Sequence, residues 1–536
     1  MATPETDAPL AGRALTTVFV ALMLGMFLAA LDQTIVSTAL PTIVGDLGSL
    51  NHLSWVVTSY LLATTVSTPI YGKLGDMYGR KPVFLAAILI FLAGSMLAGL
   101  SQSMTALIGF RALQGAGAGG LMVSAQAIIA DIVPPRQRGR YMGLIGSVFA
   151  VASVAGPLLG GFFVDQLSWR WVFYVNMPVG AIAIAIVIFR LHLHTPHTRH
   201  RVDYVGATLL TGGVAALILL TTWGGSEYAW GSSTIVGLGI AGVALLAAFV
   251  WQEGRAAEPI VPLTLFRSSV FNVSSAMGTT IGMAMFGAII FIPLYLQLVY
   301  GASATGSGLR MLPLMVGLLT AAILSGRAIS RIGRYRAFPI AGTGILVVGM
   351  FLLSRLGVAT APWLASVYML VVGVGIGLVM QVLVLVVQND ARPENIGVAT
   401  STATFFRSVG GAFGVAIFGA IFAARLAGQL AHFPRSVVAR LGSGVQLSPA
   451  AAKQLPTKIH ADFLQAFAHS LHGVFLWGVA IAVVPFALSW FLREVPLRTT
   501  LHASAELSAE EAAAGGSIPE EIVQPHVHQN PTPQES

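Results

Sequence analysis

One acidic residue, Asp32, lies deep inside a long apolar run of this sequence. A carboxylate in hydrocarbon costs roughly 2.5 to 3.5 kcal/mol on insertion scales, so its surroundings favour the protonated form. A carboxyl group in that setting can take up and release a proton, which suits a proton-coupled carrier. The alternative is a structural role, in which Asp32 pairs with an arginine and holds helices together.

Arg111 brings the opposite charge into another apolar run. Gly115 and Gly119 follow it at helical spacing, and Gln114 flanks them on nearly the same face. Because a buried cation must be compensated, Arg111 needs a partner. Gln114 is a candidate for gating or for substrate contact.

A second intramembrane arginine, Arg407, stands in the segment Ala403–Gly411. The second half of the chain offers it no obvious acidic partner. We predict a role in gating, the binding of an anionic substrate group, or pairing between helices. Other polar side chains predicted to contact substrate in a central cavity are Tyr295, Gln297 and Gln381.

A charged tight turn covers residues 72–82, between two apolar runs. Asp76 is predicted to cap or pair with a helix of the second half, and Arg80 to pair with Asp131. Breaking such pairs would let two halves of the protein move, so we interpret the turn as a conformational latch; a solvated turn is the alternative. Residues 326–334 repeat the pattern without an acidic residue at the place of Asp76. The glycines of the first copy are Gly72 and Gly79.

A stripe of small residues marks the fifth apolar run, where Pro157 directly follows Gly156. Small residues let two backbones approach each other, and proline bends a helix. Close helix packing is therefore predicted here. The same run continues through Gly160 and Gly161.

The sequence favours neither metal nor nucleotide chemistry. It has no cysteine, and its histidines between residues 192 and 200 are irregularly spaced. Protease, hydrolase and Walker motifs are missing, so we predict neither an enzyme nor a cofactor, and the driving force is expected to be a proton gradient. The histidines in question are His192, His194, His197 and His200.

Composition places the chain in a bilayer. It is 55% hydrophobic and 9% charged over 536 residues, with a mean hydropathy of +0.80, whereas a soluble protein is about 25% charged. Apolar runs of about 20 residues, enough to cross roughly 30 Å of hydrocarbon, number about fourteen. They lack period-2 alternation, which predicts an all-α membrane protein rather than a barrel. The predicted spans are 14–38, 53–71, 83–101, 104–128, 141–163, 170–190, 204–223, 233–252, 270–299, 305–328, 337–356, 362–387, 400–424 and 470–492.

Basic residues mark one side of the predicted membrane. The positive-inside rule places the connections that carry them in the cytoplasm, together with both termini. The opposite connections at 45–54 and 224–233 carry neither Lys nor Arg. This bias explains the net charge of +8, so nucleic acid is not a predicted partner. The basic connections lie near residues 73–81, 136–140, 199–201 and 331–336.

Charged or proline-rich breaks near 191–203 and 253–269 divide the array into six helices, a pair and six helices. The long connection 425–469 is predicted to be a plain loop or a short interfacial helix on the outer face. The predicted units are an N-terminal segment 1–13, a first half 14–190, an inserted pair 204–252, a second half 270–492 and a disordered cytoplasmic tail 504–536.

These motifs resemble the fourteen-helix drug:proton antiporter branch of the major facilitator superfamily. The turn 72–82 is similar to the loop between its second and third helices, and Leu31–Pro41 to its first-helix signature. Leu107–Gly117 is similar to its fourth-helix motif, and Ala155–Gly161 to the motif that separates antiporters from importers. The resemblance implies a major facilitator fold that works by alternating access between two six-helix halves.

The resemblance also implies that Asp32 and Arg111 form the proton-coupling pair, and that transport runs outward. The function predicted is proton-driven efflux of lipophilic drugs or toxic compounds across the cytoplasmic membrane of a bacterial cell, and hence antibiotic resistance. The predicted partners are small lipophilic substrates, protons and the lipid bilayer, with the protein a monomer. A dedicated exporter of one metabolite, lipid or peptide would show the same motifs, and a non-transporting sensor or scaffold is a third interpretation.

Overall fold

The computed structural model describes residues 13–47, 53–191, 202–225, 227–431, 433 and 456–497. Their regular structure is helical, as the composition predicts. The helices are α1 Arg13–Leu47, α2 Leu53–Tyr78, α3 Arg80–Leu100, α4 Met104–Ile132, α5 Pro135–Gln166, α6 Trp171–Tyr174, α7 Asn176–Arg190, α8 Tyr204–Trp223, α9 Ser233–Glu253, α10 Ser269–Leu298, α11 Ala304–Arg310, α12 Leu312–Ile332, α13 Ala337–Ser354, α14 Pro362–Asp390, α15 Ile396–Leu430 and α16 Thr457–Ser489.

Thirteen of the described helical spans are long and apolar enough to cross a membrane, against about fourteen predicted. The difference is α2, the predicted span 53–71, which is a helix but is less apolar than the others. Seven Ser and Thr residues lie in it, and several return their hydroxyls to the helix backbone: Thr64 Oγ1 donates to Tyr60 O at 2.7 Å and Thr65 Oγ1 to Leu61 O at 2.8 Å. Such bonds satisfy the hydroxyl groups inside an apolar layer, but the Ser and Thr residues still lower the mean hydropathy of the segment.

Each half of the chain has its own apolar core. One core draws on α1 to α5 and α7 and includes Phe84 and Phe91, and the other draws on α10 and α12 to α16 and includes Phe291 and Phe422. Helices α8 and α9 pack on each other, with Gly213 against Leu246. We call this pair, residues 204–253, the inserted pair.

The two halves meet along two seams, α2 against α15 and α5 against α12. In the second seam the backbones touch, because a Cβ added to Gly326 would overlap the carbonyl of Gly139. One turn further along, a Cβ on Gly143 would lie 2.6 Å from the carbonyl oxygen of Ala322. Both seams reach the end of the bundle that carries the basic connections 73–81, 136–140 and 331–336, which we call the basic end.

The connection predicted at 425–469 is shorter in the structure, because both flanking helices extend into it. Helix α15 continues to Leu430 and α16 begins at Thr457, because a helix can extend beyond the apolar layer on polar residues that a hydropathy search excludes. The central part of this connection, the histidine cluster 192–200 and the predicted tail 504–536 lie outside the described residues.

Candidate functional site

Helices α1 and α4 bring Asp32 and Arg111 into direct contact. Arg111 Nη1 donates to Asp32 Oδ2 in an ion pair, and the two residues are 1% and 0% exposed, respectively. In so apolar a place neither charge is stable alone, so each compensates the other.

Gln114 closes this pair into a triangle. Its Oε1 accepts a hydrogen bond from Arg111 Nη1 at 2.8 Å, and its Nε2 donates to Asp32 Oδ1 at 2.8 Å. The spacing of three residues along α4 puts Gln114 beside Arg111 on one helix face. Gln114, predicted as a gating or substrate residue, is thus part of the charge cluster itself.

The first-half helix α2 holds the guanidinium from its other side. Arg111 Nε donates to the carbonyl of Val56 at 3.3 Å, and the ring centroid of Tyr60 lies 4.1 Å from Arg111 Cζ, within cation–π range. The Tyr60 hydroxyl in turn donates to Ala29 O of α1 at 3.2 Å. Tyr60 therefore ties all three helices of the site together, and no motif in the sequence indicated it.

Glycines allow α2 and α4 to come this close. A Cβ at Gly115 would overlap the backbone of Tyr60, and Thr64 Oγ1 donates across the contact to Gly115 O at 3.0 Å. The small residues predicted around Arg111 therefore set the depth at which Tyr60 meets the guanidinium.

The glycine motif of α5 packs on α1 directly after Asp32. A Cβ at Gly156 would overlap Thr34, and one at Gly160 would overlap Thr38. Thr34 Oγ1 also donates to Ala152 O of α5 at 2.9 Å. The part of α1 that follows Asp32 therefore packs directly on α5, which forms one of the two seams. The other two members of the motif differ: Pro157 lies 3.6 Å from a Cβ built on Gly308, and Gly161 faces open space.

The predicted turn 72–82 is wrong in extent, because α2 continues to Tyr78 and α3 begins at Arg80, which leaves Gly79 alone outside the helices. This segment joins the two halves at the basic end. Asp76 accepts hydrogen bonds from the backbone N–H groups of Gly397 at 3.1 Å and Val398 at 2.7 Å, which are free donors at the start of α15. Arg80 forms ion pairs with Asp76 and, through Nε at 3.0 Å, with Asp131 of α4.

Two glycines complete this contact. A Cβ at Gly72 would overlap the Ser401 side chain of α15. Gly79 adopts a φ of 89°, which lets the chain turn sharply from α2 into α3.

Two of the predicted cavity residues have other partners. Tyr295 lies in the core of the second half, and its hydroxyl donates to the carbonyl of Gly357 at 2.9 Å. Gln297 Nε2 donates to Ser307 Oγ at 3.1 Å. These bonds link α10 to neighbouring segments, and contact of Tyr295 or Gln297 with substrate stays a prediction.

Arg407 lacks an ion-pair partner among the described residues, and the side-chain carbonyl of Gln381 lacks a hydrogen bond. Within the described part of the chain, no carboxylate lies within ion-pair distance of half-buried Arg407, and Gln381 is buried with Oε1 unbonded. Neither belongs to the Asp32 cluster.

Comparison with known proteins gives consistent results. Residues 22–415 match the family model of the Major Facilitator Superfamily. The chain is 48% identical over 494 residues to an uncharacterized MFS-type transporter of Mycobacterium tuberculosis, covering 91% of this chain and 71% of that protein. It is 36% identical over 536 residues to the multidrug transporter protein MdtP of Bacillus subtilis, covering 94% and 97%.

Among solved structures, the proton:xylose symporter XylE aligns with a TM-score of 0.61 at 14% identity. The alignment covers 92% of this chain and 98% of that one. At this identity the match concerns the fold alone, which places two six-helix halves around a common centre.

Proposed function

Because this chain belongs to the major facilitator superfamily, a family of membrane transporters, we propose that it exports lipophilic compounds in exchange for protons. The observation that carries the proposal is the closed triangle of Asp32, Gln114 and Arg111. A buried carboxyl group whose hydrogen bonds depend on its charge can link proton uptake to helix movement.

The donors and acceptors of the triangle match an ionised Asp32. Both carboxylate oxygens face donors, Arg111 on one side and the Gln114 amide on the other. A proton placed between Asp32 and either donor would set a donor against a donor, and turning the amide over would point its NH₂ at the guanidinium. A proton on another lone pair would keep the contacts but remove the negative charge, so in both cases charged hydrogen bonds, each worth about 1.5 to 3 kcal/mol, are weakened or lost.

This loss favours a rearrangement of α1 relative to α4. Because Thr34 and Thr38 of α1 pack on α5, the movement reaches the α5–α12 seam. In the proposed cycle, a proton arriving from outside neutralises Asp32 and biases the seams at the basic end to open. Release of that proton into the cytoplasm restores the triangle and closes them around the outward-facing state.

Two observations support the outward direction of transport. The segment Ala155–Gly161 resembles the antiporter motif, and its Gly156 and Gly160 form the α1–α5 contact. MdtP, which aligns over nearly its whole length, is named a multidrug transporter. The proposed cargo is accordingly a set of small lipophilic compounds, and the proposed site is a bacterial inner membrane with the basic end in the cytoplasm.

The decisive test compares Asp32→Asn with Asp46→Asn, the same substitution on the same helix. Trp169 Nε1 donates to Asp46 at 2.8 Å and Arg170 at 3.3 Å, and these bonds lower the pKa of this exposed carboxyl group. Asp46 thus stays ionised near neutral pH, whereas Asp32 is proposed to exchange protons.

Efflux of a fluorescent lipophilic dye would be measured in inverted vesicles, with and without a protonophore. We expect protonophore-sensitive efflux from wild type and Asp46→Asn, and its loss from a folded Asp32→Asn protein. Full proton-coupled efflux by Asp32→Asn would refute the mechanism. Dye that moves in none of the three proteins would contradict a polyspecific pump and point to an exporter of one metabolite, lipid or peptide.

A further inference from the structure

A cavity of about 250 Å³ lies between the inserted pair and the α2–α15 seam. Its walls are apolar: α8 contributes Val214 and Leu217, α15 contributes Phe405 and Ala412, and Pro69 of α2 closes the side toward the first half. Its lining residues carry no charge, and the residues of the Asp32 triangle are not among them. This cavity is thus separate from the Asp32 triangle, and its lining is apolar apart from the side chains of Thr221 and Thr402.

The cavity is long and narrow. Its lining runs from Leu210 to Thr221 along α8 and from Thr402 to Phe413 along α15. At 1.5 Å per residue, each stretch measures about 16 Å. Both stretches begin six residues, about 9 Å, from the basic end of their helices, so the cavity runs through the middle of the roughly 30 Å layer and is long enough for an acyl chain.

The mouth of the cavity faces the lipid near the basic end. Three of its lining side chains are solvent-exposed in the isolated protein, Val250 at the end of α9 and Leu263 and Phe266 on the connection to α10. Aliphatic and aromatic groups at this depth contact acyl chains. A hydrocarbon chain can therefore enter from the bilayer without crossing a polar barrier.

Two arginines flank this mouth. Arg267 directly follows Phe266, and Arg255 stacks on exposed Trp251 with Cζ 3.8 Å from the ring centroid. Neither arginine forms an ion pair with any residue in the described ranges. Unpaired arginines beside a lipid-facing aromatic residue are suited to a phosphate group.

We propose that this cavity binds one acyl chain of an anionic phospholipid from the leaflet at the basic end, with the phosphate held near Arg255 and Arg267. An acyl chain fits better than cargo because the mouth opens on the lipid between two arginines, and the polar side chains of the lining are those of Thr221 and Thr402, the second with an unbonded hydroxyl. Because Pro69 and Thr402 belong to different halves, the bound chain contacts both sides of a seam that opens during transport. The lipid is thereby a structural and regulatory ligand of the α2–α15 seam.

The first test fills the cavity. Ala412→Trp puts an indole into it from α15, and Ala244→Trp makes the same change on the exposed face of α9, outside the lining. Proteins purified from membranes containing phosphatidylglycerol would be analysed by native mass spectrometry after mild delipidation. We expect one retained lipid in wild type and Ala244→Trp, and its loss in Ala412→Trp.

Leu217→Trp fills the same space from α8 and guards against a local effect on α15. Retention of the lipid by both cavity variants, folded as judged by gel filtration, would refute the proposal. If a transported dye displaces the lipid one for one, the cavity binds cargo instead. If the wild-type protein retains no lipid, the proposal is also refuted. The measurement does not depend on transport, so its failure is distinct from failure of the proposed function.

The second test concerns charge. The double variant Arg255→Gln with Arg267→Gln should lose the preference for phosphatidylglycerol over phosphatidylcholine by about 30-fold, given the contribution of each basic residue near anionic lipid. The matched control, Arg334→Gln with Arg392→Gln, removes the same charge from two other exposed positions. An equal loss in both double variants would show only a general electrostatic attraction and would overturn the headgroup assignment.

Discussion

Two helix ends in this protein have the same design but different chemistry. The first latch, residues 72–80, joins α2 to α3, and the second latch, residues 326–334, follows the same spacing at the end of α12. In each, a glycine with positive φ ends the helix, Gly79 at 89° and Gly333 at 78°. Each latch also touches the opposite half, the first at α15 and the second at α5.

The two latches differ in the contact made by the residue four positions after their first glycine. In the first latch, Asp76 caps α15 and pairs with Arg80. In the second latch, Ser330 takes that place, and its hydroxyl accepts a hydrogen bond from the backbone N–H of Arg140 at 3.1 Å. The contact is kept, but its charge is missing.

The comparison separates what holds the seams from what can switch them. Close backbone packing occurs in both, at Gly72 against Ser401 and at Gly326 against Gly139. Among the residues that the structure describes, the α2–α15 seam alone adds a network of ion pairs, whose strength depends on every member being present. We infer that the α5–α12 seam acts by shape and the α2–α15 seam by shape and charge.

Arg80→Ala should have the largest effect, since it leaves Asp76 without its cation and also removes a partner of Asp131. Removing one partner of a buried ion pair costs about 3 to 5 kcal/mol. We expect the α2–α15 seam to open at the basic end. Because the chain has no native cysteine, spin labels at Tyr78→Cys and Glu394→Cys would report the distance by electron resonance. An unchanged distance distribution would contradict a charge-dependent seam.

Asp76→Ser gives the first latch the chemistry of the second and should have an intermediate effect. The serine loses charged hydrogen bonds to two N–H groups of α15, each worth about 1.5 to 3 kcal/mol, and retains part of the capping. The same label pair would show a partial shift toward the open distance. If the shift equals that of Arg80→Ala, Asp76 accounts for the whole network and Asp131 contributes nothing.

Ser330→Ala should have the smallest effect, because one neutral hydrogen bond contributes about 0.5 to 1.5 kcal/mol. The glycine contact between Gly326 and Gly139 stays in place. Labels at Gln137→Cys and Arg334→Cys, which are exposed on either side of the α5–α12 seam, would report a nearly unchanged distance. A large opening would mean that hydrogen bonding, not packing, holds this seam.

The sequence predicts the charge cluster better than it predicts the groups around it. Two opposite charges in apolar runs require each other, so the contact between Asp32 and Arg111 follows from the cost of a lone charge in hydrocarbon. Gln114 was visible because it lies three residues from Arg111. Tyr60 was not, because its role depends on how closely α2 approaches α4, which no local pattern states.

The latches show the same limit. The sequence indicated that Asp76 reaches the second half, but the N–H groups that it caps belong to residues 321 and 322 positions away. In the second half, Tyr295 is predicted as a cavity residue because it is polar and aromatic, but no local pattern indicates that its hydroxyl donates to the carbonyl of Gly357, 62 positions away. Hydropathy also misplaced the start of α16 at 470, since the preceding turns carry His460 and Asp462 and still remain helical.

Helix α8 packs on both sides of the α2–α15 seam, with Val66 of α2 and Phe405 of α15 among its neighbours. Trp223 of α8 also packs on Trp55 of α2, with the ring centroids 5.4 Å apart, and Lys73 of α2 forms an ion pair with Glu258, just beyond α9, at 3.8 Å. The inserted pair is therefore moored to the first half near both ends of α2. When the α2–α15 seam opens, we expect the pair to travel with the first half as one rigid block, while α15 moves past it.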